Sequence, residues 1–166
     1  MPGDSINDGL CRDNTRTGMS SIETSILNKI RDLARMPELV DRLAAEHHLS
    51  ADVVYGMNVA LDEMLSNIIK YGYADDGIHE IHVRLSVSEA TVVAEIEDDG
   101  QPFDPLELPA PDVDAPLEER KVGGLGIHIV RTLMSKVEYA RIGGRNRLVM
   151  RMLLESAGER GKNGTA

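Results

Sequence analysis

Tryptophan is absent from this chain, and phenylalanine and cysteine occur once each, as Phe103 and Cys11. With aromatic residues at 3%, any core must be filled mostly by Leu, Ile, Val and Met. A lone cysteine excludes an intrachain disulfide and a cysteine metal cluster, and a free thiol in a polar segment fits a reducing compartment. No apolar run is long enough to cross a bilayer, and the first residues lack the apolar centre of a signal peptide. A cytoplasmic location without a membrane partner is therefore expected. Positive charge is also short: the formal net charge is −10, which argues against nonspecific attraction to nucleic acid or to an anionic membrane.

What is present suits one ordinary domain. The 166 residues are 42% apolar, enough for a single substantial core. Residues 1–18 are polar and lack apolar periodicity, so they read as a flexible leader ahead of Met19; residues 156–166 read as a flexible tail. Between them, residues 19–155 carry the fold. Ser20–Leu27 reads as an edge strand, followed by a helix over roughly Lys29–Ala45 that Pro37 is expected to interrupt. Ser50 is a candidate cap for a helix reaching about Lys70, with Met57, Ala60, Leu61, Met64, Leu65 and Ile68 as its buried stripe and Gly72 near its end. His79–Leu85 alternates polar and apolar groups, and Thr91–Ile96 follows across a turn at Glu89-Ala90, which predicts a hairpin. Leu106–Lys121, with its prolines and acids, reads as an irregular exposed loop. Gly126 opens a helix to about Met134, and Val137–Ile142 with Arg147–Leu154 forms a closing hairpin around Gly143-Gly144. This order predicts an α+β two-layer sandwich with helices on one face of an antiparallel or mixed sheet, not a βαβ dinucleotide-binding domain.

Three groups of residues carry candidate chemistry. Glu63 and Asn67 are four apart and Lys70 three farther, so they share one narrow helix face, with Asp62 beside it. A solvated helix face would show the same pattern. Asp98-Asp99-Gly100 directly follows an apolar strand, where a carboxylate at a pocket floor can accept a hydrogen bond from a base; a plain acidic turn is the alternative. Gly123-Gly124-Leu125-Gly126 precedes a well-patterned helix, so its amides can cradle phosphate at the positive helix end, or simply form a tight loop. The run lacks the Gly-Lys-Ser/Thr ending of a P-loop. Arg120 and Lys121 can screen phosphate or pair with Glu118 and Glu119. Phe103 is expected in the core rather than stacked on a base. The five histidines show no metal spacing and are assigned surface or structural roles; His79 and His82, three apart in one expected strand, should point to opposite faces. If ATP binds, Asn67 offers an uncharged oxygen to Mg²⁺ and Glu63 can accept a hydroxyl proton. The global negative charge does not oppose this, because a local glycine and magnesium site can outweigh it.

Three stretches in order, LDEMLSNIIKYGY at 61–73, EDDGQPFDP at 97–105 and GGLGIHIVRTLMSKVEY at 123–139, make the chain resemble the ATPase superfamily of histidine kinases, DNA gyrase, heat-shock protein 90 and MutL. Within it, the chain is most similar to stand-alone anti-sigma-factor serine/threonine kinases, over roughly Ser20–Leu154. The resemblance implies the histidine-kinase-like sandwich, with Glu63 as general base and Asn67 as Mg²⁺ ligand. It implies Asp98 at adenine, Gly100 beneath the base, Gly124 and Gly126 along the phosphates, and Leu106–Gly123 as an ATP lid. Gly123, Leu125 and Lys70 join the expected nucleotide contacts. Lys70 stands where many relatives have histidine and Ser135 where many have aspartate. Asn146-Arg147-Leu148 matches the usual start of the last strand, with a structural role expected. The implied function is ATP-dependent phosphorylation of a small STAS-fold anti-anti-sigma-like protein, with a sigma factor or other regulator as a second partner and a homodimer as the expected assembly. The alternative is a nucleotide-dependent sequestration module with little turnover.

Overall fold

Alternation of side chains builds the sheet. In β2 (Glu80–Ser88), Ile81, Val83, Leu85 and Val87 are buried between exposed or polar neighbours, and in β3 (Thr91–Asp98) Val92, Ala94, Ile96 and Asp98 share that inward face. The register pairs Leu85 with Ala94 and Val83 with Ile96 across the hairpin. β1 (Ser20–Leu27) pairs with β2, and the hairpin of β4 (Lys136–Ile142) and β5 (Arg145–Leu153) joins β3 through β5. All four pairings are antiparallel, in the order β1-β2-β3-β5-β4. Gly143 and Gly144 turn the last hairpin with φ of 58° and 84°, the double left-handed conformation that matches strand twist. The computed structural model describes residues 20–88, 90–107 and 125–154. The expected leader and tail, Cys11, Glu89, Gly123, Gly124, the Glu118–Lys121 charges and the lid beyond residue 107 lie outside the described residues.

Among the described residues three α-helices cover one face. The expected helix from Lys29 is corrected: Ile30–Arg35 is a 3₁₀ segment, and α1 (Met36–His47) begins after it. Pro37 sits in the first turn of α1, where a missing N–H breaks no helical bond, so it starts the helix instead of interrupting it. The Ser50 side chain accepts from the Val53 amide at 3.4 Å and opens α2 (Ala51–Tyr71). Met57, Ala60, Leu61, Met64 and Leu65 are buried along it as the periodicity predicts, while Ile68 is only partly covered. Gly72 ends α2 by donating to the Ile68 carbonyl at 2.7 Å, yet its φ of −78° is right-handed, so this cap does not need glycine for its backbone angle. α3 (Leu125–Leu133) adds Ile127 and Val130, with Met134 beyond its end. These side chains and the inward strand residues form one aliphatic and methionine core. Each fully buried Leu or Ile contributes roughly 1.5–3 kcal/mol. Among the described residues, no helix is long and apolar enough to cross a membrane.

Candidate functional site

β3 is the central strand, and its last residue on the covered face is Asp98. The register sets it opposite Asn146 of β5, and both are buried, at 3% and 6% exposure. Asp98 Oδ1 accepts from the Gly100 amide and from Asn146 Nδ2, each at 2.8 Å. Both bonds fall on one oxygen; among the described residues the second makes none, so its lone pairs are left for a further donor. Asn146 is fixed in turn: its Oδ1 accepts from Tyr139 Oη at 2.8 Å and Arg141 Nη1 at 2.6 Å, while Nδ2 also reaches the Gln101 carbonyl at 2.9 Å. Burial pushes the Asp98 carboxyl above its ordinary value; the Asn146 and Gly100 bonds oppose this, Asp99 adds to the rise, and Arg141 lowers it.

The turn after β3 has no room for a side chain at Gly100. A β-carbon there would run into the Gly72 carbonyl and lie 2.8 Å from Asp98 Oδ1. The same carbonyl accepts from the Gln101 amide at 2.6 Å, so the end of α2 and this turn are tied backbone to backbone. Above them opens a small pocket whose apolar walls include Met64, Ile68 and Leu148, with Asn67 and Asp98 as polar groups. Phe103 lines this pocket and is 40% exposed, which corrects the expected core role. Its turn leaves the sheet before the chain can bring the ring inward, and its amide donates to Tyr139 Oη at 3.2 Å.

One turn before Asn67, Glu63 is half-buried against α3. A β-carbon on Gly126 would fall within the Glu63 carboxylate, so the glycine leaves that carboxylate its place against the first turn of α3. The structure thus brings Asn67 and Asp98 to one pocket, with Gly100 in the turn that follows Asp98, and sets Glu63 on Gly126. Lys70 is exposed and does not line the pocket, and Leu125 is 56% exposed at the start of α3. Gly123 and Gly124 lie outside the described residues.

Sequence reasoning did not find the network behind Asp98. Its available signal was Asn146 itself, a polar residue heading the inward row Leu148, Met150 and Met152. The histidine reading also changes. β2 begins at Glu80, so His79 precedes the strand; its ring stacks on Tyr73 with centroids 4.2 Å apart and lies beside Asp99. His82 is on the open face, 2.7 Å from the Ser25 hydroxyl. Burial, followed by the negative charges of Asp98 and Asp99, holds the Tyr73 phenol well above its ordinary value, and its oxygen has no hydrogen-bond partner among the described residues.

A larger open cleft, about 890 Å³, runs from α1 across β1 to the open sheet face. It contains none of the candidate catalytic, phosphate or base-binding residues, and its charges include mutual pairs such as Glu23–Arg84 at 3.2 Å and Glu95–Arg147 at 2.8 Å. The smaller pocket is the better site on chemistry, because it joins apolar walls to one buried carboxylate and a neutral amide. Among the described residues no His, Cys, Asp and Glu cluster could hold a metal.

A model of the histidine kinase-like ATPase domain matches residues 26–152. The serine/threonine-protein kinase BtrW of Bordetella bronchiseptica is 26% identical over 111 residues, covering 67% of this chain and 78% of that protein. The serine-protein kinase RsbW of Bacillus licheniformis is 28% identical over 57% of this chain and 62% of its own. RsbW of Listeria monocytogenes is 26% identical over 58% of this chain, and the chain spans 64% of that relative, just under two thirds of its length. Among solved structures, the RsbU and RsbW domains of a Mycobacterium tuberculosis protein share the fold with a TM-score of 0.58 at 17% identity, over 82% of this chain and 33% of that one.

Proposed function

The chain belongs to the histidine kinase-like ATPase domain family, and from that premise we propose that it is an ATP-dependent protein serine/threonine kinase acting in a partner switch. The observation that carries the reading is Asp98: a buried carboxylate with one oxygen saturated, facing an apolar pocket that Asn67 also lines. Such a carboxylate suits the exocyclic amine of adenine, and the apolar walls would flank its ring once the pocket, about 30 Å³ in this structure, widens. Asn67 is the Mg²⁺ ligand in this reading, and the amides at the start of α3, with Gly123 and Gly124 before them, face phosphate. When bound, Mg-ATP supplies the phosphoryl group and neutralises its charge. Glu63 accepts the proton of the attacking substrate hydroxyl, and Gly126 gives it room to stand at the phosphate end. Lys70 stands on the same helix face as an exposed cation near the phosphates.

The substrate in this reading is a STAS-fold anti-anti-sigma-like protein, and a sigma factor or other regulator is the alternating partner. A homodimer working in the cytoplasm, without direct nucleic-acid or membrane contact, completes the proposal. Support comes from the names of the relatives, serine and serine/threonine kinases, and from the chemistry of the pocket. Calorimetric titration of metal-stripped protein with ATP, with and without Mg²⁺, tests the site; magnesium-dependent saturable binding is expected. Transfer of labelled γ-phosphate to a purified STAS-fold protein tests the activity. Binding and complex formation without transfer would leave a sequestration module in place of a kinase.

A further inference from the structure

His79 stands outside the pocket, yet everything around it is tied to the turn that carries Asp98. Its backbone is held on both sides by Asn28 after β1: the His79 amide donates to Asn28 Oδ1 and its carbonyl accepts from the Asn28 amide, each at 3.0 Å. One ring face lies against Tyr73, which packs on the core. The ring therefore sits on a fixed post. Its two nitrogens face two carboxylates, Nε2 to Asp75 Oδ1 at 2.9 Å and Nδ1 to Asp99 Oδ1 at 3.1 Å. Asp75 accepts from the Gly77 amide as well, at 2.7 Å. Ionised carboxylates only accept, and a neutral imidazole has one N–H, so only the imidazolium satisfies both contacts. Asp99 lies between Asp98 and Gly100. The turn is thus anchored twice to the α2–β2 connection, at the Gly72 carbonyl and at the His79 ring.

Building on the nucleotide-site reading above, we propose that His79 is a positioning residue for the nucleotide: as an imidazolium bridging Asp75 and Asp99 it clasps the adenine-facing turn, and nucleotide affinity falls as the clasp deprotonates. The charged and titratable groups facing it are Asp75 and Tyr73 on its own connection and Asp99 on the β3 turn, with Asp98 and Arg145 of β5 beyond Tyr73. The segment after β1 contributes the neutral Asn28. The Asp75 hydrogen bond, then that of Asp99, lifts the imidazole above its usual value against the opposing effect of desolvation. The sign follows. The clasp is complete below the usual histidine value and is lost as pH rises through the lifted one. One carboxylate then faces a ring lone pair, and the turn loosens.

The test is ATP affinity by calorimetry across neutral and alkaline pH for the parent, His79→Gln, His79→Arg and, as a control on the open face, His82→Gln. Reading each variant against the parent cancels the titration of ATP itself. The parent should weaken roughly fivefold as pH rises, an ordinary coupling between two sites. His79→Gln should hold the weaker affinity at every pH, and His79→Arg, which cannot deprotonate, the tighter one. His82→Gln should follow the parent. Parent and His79→Gln with parallel profiles would overturn the clasp. Ring NMR titration of the same samples separates the possible failures. A lifted His79 titration in a protein that binds no ATP overturns the nucleotide site and this coupling with it; ATP binding with His79 titrating at the usual value overturns the clasp alone.

Discussion

On the covered face of the sheet one carboxylate, Asp98, is buried at the end of the central strand and held by an amide and an asparagine. On the open face, carboxylates stand in water opposite cations: Glu23 with Arg84, Glu95 with Arg147, Glu97 with Arg145, and Glu138 with both Lys136 and Arg151. The open face has more charge and more ion pairs, yet each pair is screened and costs side-chain entropy to hold. The covered face has one charge whose desolvation is only partly offset by its hydrogen bonds. That is what gives Asp98 a strong preference for a further donor. A buried carboxylate discriminates between donors far more than a screened surface pair does.

Substitutions on the two sides should separate accordingly. The largest effect is expected from Glu63→Ala, which should lower γ-phosphate transfer to a STAS-fold protein by about 10²–10⁴-fold while ATP affinity stays near that of the parent. Equal transfer would remove Glu63 from the proton-accepting role. Gly126→Ala approaches the same group from outside: the added methyl displaces the flexible end of Glu63 and not backbone, so transfer should fall at least tenfold while the melting temperature barely moves. A large loss of stability instead would mean that α3, not Glu63, gives way.

Asp98→Asn should weaken ATP binding by roughly 10–100-fold, the usual worth of a hydrogen bond to a charged acceptor. It should also stabilise the free protein at neutral pH. Because the Asp98 carboxyl lies above its ordinary value in the fold, its contribution to stability is fully present only in acid and is lost as pH rises through that lifted value. The gain in melting temperature of the variant over the parent should therefore be largest at neutral pH and vanish in acid. The smallest effect belongs to the open face, where Arg147→Ala should change stability by less than about 1 kcal/mol and leave ATP binding unchanged. A larger loss would show that the charge pairs there act as a network.

Local features were legible in the sequence. Ser50, the stripe of α2 and the double glycine of the last hairpin all depend on neighbours within a few residues, and each stands where the pattern puts it. Pro37 was misread because the same residue can break a helix or begin one, and only the preceding 3₁₀ segment decides. For the candidate site, the motifs included Asn67 and Asp98, which line the pocket, but not what holds them. Asn146 reaches Asp98 through a strand register, and no local periodicity records which strands become neighbours. Phe103, expected in the core, is 40% exposed because its place on a turn outweighs its hydrophobicity. The placement of His79 hung on where β2 begins, a single residue from the expected boundary.

The order of the strands has a consequence for how the protein is made. Among the described residues β5 is the last strand in sequence, yet it lies inside the sheet, between β3 and β4. Until it docks, β3 presents a bare edge, and Asp98 lacks the partner that follows it 48 positions later. Such long-range closure comes late in folding. A chain halted within β5 should therefore be both sticky and blind to nucleotide, whereas a finished one gains stability from whatever occupies the pocket. If ATP binds where Asp98 points, the cell's ordinary nucleotide pool inspects each new copy for completeness before any partner does.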